Sequence, residues 1–238
     1  MFSLFSKQPH SAPLLTDVHS HLLPGVDDGA KTIEESFAII DQMIDMGYTK
    51  IITTPHIMSG YYNNTIESLT KSYEQFLPVL REKGYTIPFE CAAEYYLDEQ
   101  VHARVVNKET FLTFGERYLL FETNFISEPY ILKEFIFQLT LQGYRPVLAH
   151  PERYQYMSLE KAEDLRNRGV LLQVNMLSLI GAYGPPIQKL AEKLISKRWV
   201  DMLGSDCHNL DHVHALGKVL RSSYYRKALD LPLLNNSL

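Results

Sequence analysis

Asp17-Val18-His19-Ser20-His21-Leu22-Leu23-Pro24-Gly25-Val26-Asp27-Asp28-Gly29 is the stretch whose reading decides the fold. It follows Leu14-Leu15 and reads as the end of a buried strand spilling into a loop. Side chains two apart in an extended chain face the same way, so His19 and His21 point together. Two imidazoles at a strand end, with the carboxylates of Asp27 and Asp28 a short loop away, form the core of a metal site. A lone His-x-His is weak evidence, because a polar loop with two incidental histidines has the same spacing. The rest of the chain decides between the two.

Thr32 and Glu35 make a capping box, followed by a helix with Ile33, Phe37, Ile40 and Ile44 at helical spacing and Gly47 at its end. The β-branched run Lys50–Thr54 is a strand that ends in Pro55-His56. A helix carrying Ile66, Leu69, Tyr73, Phe76 and Leu80 stops near Gly84. Pro88–Ala93 is a strand ending on Glu94, and Tyr118–Phe121 one ending on Glu122. A helix from about Pro129 to Gln142 leads to strand Pro146–Ala149, which ends at His150. Ser158 caps a helix reaching Arg168, and Val170–Val174 is a strand ending at Asn175. Pro185-Pro186 opens a helix to about Arg198. Val200–Ser205 is the last strand, ending at Asp206-Cys207-His208, and a final helix covers Val213 to Leu229.

Strands alternating with helices imply a parallel sheet, and about seven such units close more easily as a barrel than as an open sheet. The expected fold is α/β, a distorted TIM-like barrel one unit short of the usual eight. No linker or composition break divides it, so a single domain is expected over 14–230, with flexible segments at 1–13 and 231–238. Active sites of such barrels gather at the C-terminal ends of the strands. Here those ends carry His19/His21, His56, Glu94, Glu122, His150 and Asp206/His208.

Composition removes several classes of function. A net charge of −5 argues against a nucleic-acid surface. No apolar run approaches the length that spans a bilayer, and the N-terminal apolar part is too short for a signal peptide. Cys91 and Cys207 are far apart, so a reduced, cytoplasmic setting is expected. Neither cysteine has an arginine six residues on: those positions are Leu97 and Val213, which excludes a cysteine-dependent phosphatase loop.

Five imidazoles and several carboxylates exceed what one ion needs, and the mixture suits Mn, Fe or Zn over Mg or Ca. Glu94 is a candidate bridging ligand. Cations in a shared site polarise a phosphoryl group and lower the pKa of a water. Arg153, three residues past His150, is placed to hold phosphate oxygens bidentately. Tyr61 and Tyr62 after His56, and Phe125 after Glu122, are candidate walls for an aromatic ring.

Asp17–His21 through Asp28-Gly29, Thr54-Pro55-His56, Ala93-Glu94, Glu122, His150–Tyr154 and Ser205–Asn209 resemble the polymerase and histidinol phosphatase (PHP) superfamily. More narrowly they resemble its bacterial tyrosine-protein phosphatases of capsule and exopolysaccharide synthesis, the CpsB/YwqE type. The resemblance runs from near residue 16 to about residue 212. It implies a PHP barrel and two or three divalent ions, usually manganese, with phosphotyrosine hydrolysed by a metal-activated hydroxide. It places the metal ligands on His19, His21, Asp28, His56, Glu94, Glu122, His150, Asp206 and His208, and gives catalytic roles to Arg153 and Asp28. It implies a phosphotyrosine protein as partner, a bacterial tyrosine kinase of polysaccharide export. One departure stands out. The family often carries a second arginine just beyond the Ser-Asp-x-His-Asn run, where this chain has Leu210–His214, so either His212 or His214 substitutes for it or the second anchor is missing. Three other readings remain: a small-molecule phosphomonoesterase of histidinol-phosphatase type, an amidohydrolase-like metal hydrolase, and a metal-free binding module.

Overall fold

The computed structural model describes residues 14–238, so the expected flexible segment 1–13 lies outside the described residues. Strands β1 (Thr16–Asp17), β2 (Lys50–Thr53), β3 (His56–Ile57), β4 (Phe89–Cys91) and β5 (Glu94–Tyr96) make up the first part. They are followed by β6 (Tyr118–Glu122), β7 (Arg145–Ala149), β8 (Leu171–Asn175) and β9 (Met202–Gly204). Helices α1 (Ile33–Asp45), α2 (Ile66–Glu82), α3 (Glu99–Val106) and α4 (Leu132–Leu141) lie between them, with α5 (Leu159–Asn167), α6 (Pro185–Ser196), α7 (Leu210–Val219) and α8 (Ser223–Leu229) further on. Every pairing between named strands is parallel.

The strands form two sheets, β1-β2-β4 and β3-β5-β6-β7-β8-β9, in a mixed α/β fold. Among the described residues no sheet closes on itself, so the expected seven-unit barrel is not present as a closed ladder. The physical reason is local. Two of the seven expected strands, read as ending at His56 and Glu94, step at Thr54-Pro55 and Ala92-Ala93 and resume beyond as β3 and β5, which gives nine. Proline has no N–H to continue a ladder. Backbone bonds from Ala92 N to the Thr53 carbonyl and from Glu94 N to the Pro55 carbonyl span the step. At the other edge Ser20 and Cys207 make an isolated parallel bridge, flanked by Asp206 N to the His19 carbonyl at 2.8 Å and His21 N to the Cys207 carbonyl at 2.9 Å.

Other departures have equally local causes. Thr32 caps α1 as expected, accepting from Glu35 N, but the Glu35 carboxylate takes Lys31 N instead of the cap's own N–H. The buried stripe of α1 is Ser36, Ile39, Ile40 and Met43, while Ile44 is 38% exposed, so the expected face is about one position off. Helix α3 escaped the sequence reading because its apolar residues are few and small, although Asp98 caps it by accepting from Gln100 N and Val101 N. The expected final helix is two, because Ser222 accepts from Tyr225 N and starts a new one. The expected loose tail is instead a 3-10 turn, Leu234–Ser237, docked at the strand starts. Its Asn235 is fully buried, accepting from Leu203 N and donating to the carbonyls of Thr16 and Leu203.

Most buried apolar side chains lie between strands and helices. A second cluster, including Val18, Ile52, Leu120, Val147 and Met202, draws on β2, β6, β7 and β9, and Leu234 and Leu238 pack against it.

Candidate metal centre

The strand ends deliver the donors. His19 and His21 follow β1, His56 and Glu94 open β3 and β5, Glu122 closes β6, His150 follows β7, and Asp206 and His208 follow β9. His150 and Asp206 sit in the left-handed region, with φ of 33° and 49°. Such strain is concentrated at functional sites, where surrounding structure holds it in place. Gly29 lets the 21–30 loop fold back so that Ala30 N reaches the His21 carbonyl; a Cβ at Gly29 would stand 2.0 Å from that oxygen. Gly204 likewise makes room for His19, whose Cβ would be 2.7 Å from an added methyl.

All nine expected ligands fall into four overlapping groups whose donor atoms lie within 4.8 Å of one another. These are His21/Asp28/His56/His208, His19/His150/Asp206, His19/His21/Glu94 and His56/Glu94/Glu122. Glu94, shared by two groups, is fully buried at the centre. Asp28 is the outermost, half-exposed, 3.6 Å from His56 Nε2 and 3.5 Å from His208 Nε2.

The hydrogen-bond partners of the imidazoles suit a cation. His19 Nδ1 lies 2.7 Å from Gln173 Oε1, and His21 Nδ1 lies 2.7 Å from Asp27 Oδ2. Each partner is an acceptor, so each Nδ1 carries the hydrogen and each Nε2 presents a lone pair. Those two Nε2 atoms are 3.3 Å apart and face Glu94 Oε2 at 3.2 and 3.4 Å and Asp206 Oδ1 at 3.4 and 3.6 Å. Lone pairs and carboxylates converging on one point are stable only around positive charge, either protons or a metal. His56 Nδ1, Glu94 Oε1 and His150 Nδ1 are buried without a hydrogen-bond partner. The 3.2 Å approaches of His56 Nδ1 to Glu94 Oε2 and of Glu94 Oε1 to His150 Nε2 lack hydrogen-bond geometry. The atoms are aimed at a shared centre more than at each other.

Ionisation carries the same imprint. Burial alone would push every carboxyl up. At Glu94 the histidines His19 and His56 outweigh burial and hold the pKa well below its usual range, and at Asp206 His19 and His21 do the same. Glu122 goes the other way, raised by burial and then by the charges of Glu94 and Asp206. Burial likewise lowers His56 to about 4 against the pull of Glu94, keeping that imidazole neutral.

Arg153 is returned to the pocket mouth by the 3-10 turn Pro151–Arg153, and donates to Asp206 Oδ2 at 2.9 Å. Its guanidinium is sandwiched, 4.9 Å from the Phe125 ring and 4.3 Å from that of Tyr183. The pocket, about 510 Å3, is also lined by Tyr61, Tyr62 and Phe125. Tyr62 stacks on His56 and Phe125 on His150. His212 packs edge-on against His208, with Nδ1 3.2 Å from the Asp206 carbonyl, and His214 is exposed. Neither is among the residues that line the pocket. Cys207 is buried in the core and Cys91 sits on β4 with its thiol pushed up to about 12 by burial.

Sequence reasoning missed most of the supports and read Asp27 together with Asp28 as part of the site's core. Gln173, Asp27 and Tyr183 orient His19, His21 and Arg153, and Asn175 Nδ2 donates to Asp206 Oδ2 at 2.8 Å. The readable signal was Gln173, a polar residue inside the otherwise apolar strand Val170–Val174.

A parallel α/β scaffold whose strand ends crowd these donors round one pocket defines the class of α/β proteins built on a metal centre. The family profile described as "Capsular polysaccharide synthesis, CpsB/CapC" matches residues 15–220, and the chain belongs to that family. It is 31% identical to CapC of Staphylococcus aureus over 198 residues, covering 82% of this chain and 78% of that one. A solved structure from work on YwqE of Bacillus subtilis and CpsB of Streptococcus pneumoniae, described as unique metal-dependent tyrosine phosphatases, superposes with a TM-score of 0.78. It is 25% identical and covers 89% of this chain and 90% of its own. The histidinol phosphate phosphatase of Lactococcus lactis, at 13% identity and TM-score 0.51, covering 87% of this chain and 92% of its own, shares the fold.

Proposed function

We propose that the chain is a metal-dependent protein-tyrosine phosphatase whose centre holds two or three divalent ions, manganese first among the candidates. The single observation that carries this is the convergence of the His19 and His21 Nε2 lone pairs with Glu94 and Asp206, beside the Arg153 guanidinium. The ligands in this reading are His19, His21, Asp28, His56, Glu94, Glu122, His150, Asp206 and His208, with Glu94 as the bridging candidate. Divalent cations held there supply Lewis acidity toward the phosphoryl group and lower the pKa of a water into the neutral range.

The chain's own residues do the rest. Arg153 binds phosphate oxygens, held in place by Phe125 and Tyr183 so that little ordering is needed when substrate arrives. Asp28, lowered to about 2 as His208 and His56 outweigh its partial burial, stays ionised at the mouth and offers a carboxylate there. Tyr62 and Phe125 flank the space beside His56 and His150 where a phenyl ring fits. A tyrosinate leaving group, with a parent pKa of about 10, departs without a strong general acid, which favours aryl over alkyl phosphates.

The proposed substrate is a phosphotyrosine protein, a bacterial tyrosine autokinase of capsule or exopolysaccharide synthesis, met in the cytoplasm. The description of YwqE and CpsB as tyrosine phosphatases supports this, as does the lack of any helix among the described residues long and apolar enough to cross a membrane. We also read the two sheets as arcs of one distorted PHP barrel, an arrangement supported by the Ser20–Cys207 bridge. The test is metal content together with turnover of p-nitrophenyl phosphate, a phosphotyrosyl peptide and an alkyl phosphate, before and after chelation. Metal-dependent hydrolysis of the aryl esters is expected. Equal rates on the alkyl ester would favour a small-molecule phosphatase, and undiminished activity after metal removal would sink the reading.

A further inference from the structure

We propose that the groove beyond Arg153 is a docking channel for the polypeptide flanking the phosphotyrosine, and that Lys189 and Lys193 there receive acidic side chains of the substrate. This rests on the phosphatase reading above and adds a sequence preference to it. The groove, about 650 Å3, lies between the segment after Tyr154 and helix α6. Arg153 lines both it and the metal pocket, so the two cavities adjoin at the residue proposed to hold the phosphate. Met157, Ile187 and Leu190 give an apolar floor.

Charge selects the occupant. Lys189 and Lys193 are exposed and line the groove, and among the described residues neither makes a close ion pair, although the charge of Lys193 is felt by Glu160 across the groove. They stand one helical turn apart on α6, roughly 6 Å between Cβ atoms, and so form one basic edge. Of the two acids that line the groove, Glu152 is turned inward, accepting from Asn175 N and Ser178 Oγ, which leaves Glu160 as the exposed one. The chain as a whole carries −5 and would repel an acidic peptide, so a local basic edge beside the pocket is where such a peptide can approach.

The test uses the full chain loaded with Mn2+ and three substrates: p-nitrophenyl phosphate, a phosphotyrosyl peptide with neutral flanks, and peptides with glutamates on either side. At low salt the better acidic peptide is expected to show a KM roughly three- to tenfold below the neutral one, with kcat little changed. The advantage should shrink at about 0.5 M salt. Lys189→Glu with Lys193→Glu should abolish it, with p-nitrophenyl phosphate turnover as the internal reference for folding. Equal KM for acidic and neutral peptides in the unaltered protein would overturn the channel. So would a double variant that alters the small ester as much as the peptide. No turnover of any phosphotyrosine compound would instead overturn the phosphatase reading itself.

Discussion

Asp27→Asn is the substitution that most directly tests how the centre is held. Asp27 Oδ2 takes His21 Nδ1 at 2.7 Å and His56 N at 3.0 Å, while Oδ1 takes Gly29 N at 2.9 Å. Burial would raise this carboxyl, but His21 outweighs it and holds the pKa below its usual range, so Asp27 is ionised. An amide of the same shape has one acceptor oxygen. Placed toward His21 and His56, that oxygen keeps two bonds, but the NH2 then faces the Gly29 N–H. The bond to His21 also loses its charge assistance, about half its strength. Removing such an orienting partner typically costs 10- to 100-fold in metal affinity, or about 1.4–2.7 kcal/mol. The assay is Mn2+ titration in competition with a fluorescent chelator, with the midpoint of metal activation of aryl phosphate hydrolysis as a second readout. Turnover at saturating Mn2+ should recover most of its value, because Asp27 belongs to none of the donor groups. Affinity within twofold of the unaltered protein, in a variant that keeps its thermal transition, would refute the claim that Asp27 sets the His21 tautomer.

Arg153→Ala should lower kcat/KM for aryl phosphates by roughly 10²–10³-fold, and Arg153→Lys should restore little of it, since an ammonium cannot reproduce a planar fork between two rings; steady-state kinetics decide. Tyr183→Leu, which leaves one face of the guanidinium open, should mainly raise KM, by a few-fold. Asn235→Ala, by orphaning Leu203 N and the Thr16 carbonyl in the interior, should destabilise the fold by about 2–3 kcal/mol in urea denaturation. Metal stabilisation should also depend on pH. Burial opposes protonation of His19 and His21, yet Glu94 and Asp206 at the one and Asp27 with Asp206 at the other outweigh it and raise both pKa values. In the metal-free fold their protonated forms therefore stabilise fully below pH 6.5, and that contribution fades as pH rises through the raised values. Protons compete with metal over the same range, so the rise in Tm on adding Mn2+ should be larger at pH 8 than at pH 6.

Much of the donor set was legible because a parallel α/β chain repeats one unit, and each unit exposes the same place, the strand's C-terminal end. His19, His21, His56, Glu94, Glu122, His150, Asp206 and His208 were readable as candidate donors because each interrupts or ends an apolar run. Helix limits followed from caps such as Thr32 and Ser158, which act over three residues and need no tertiary context. The supports were not legible for the opposite reason. Gln173 meets His19 across 154 positions and Arg153 meets Asp206 across 53, and no local periodicity encodes such pairs.

The sequence by itself determined the order of strands and helices and the chemistry of the donors, because both depend on residue type and short-range spacing. Only the tertiary structure decided which Asp of the Asp27-Asp28 pair orients and which faces the pocket, since neighbouring side chains differ solely in the direction the folded backbone gives them. It likewise decided that the strands step between two sheets at Thr54-Pro55 and Ala92-Ala93, and that Asn235 is buried against the strand starts. Those outcomes depend on where distant backbone N–H and carbonyl groups find partners, which is settled when the chain closes on itself.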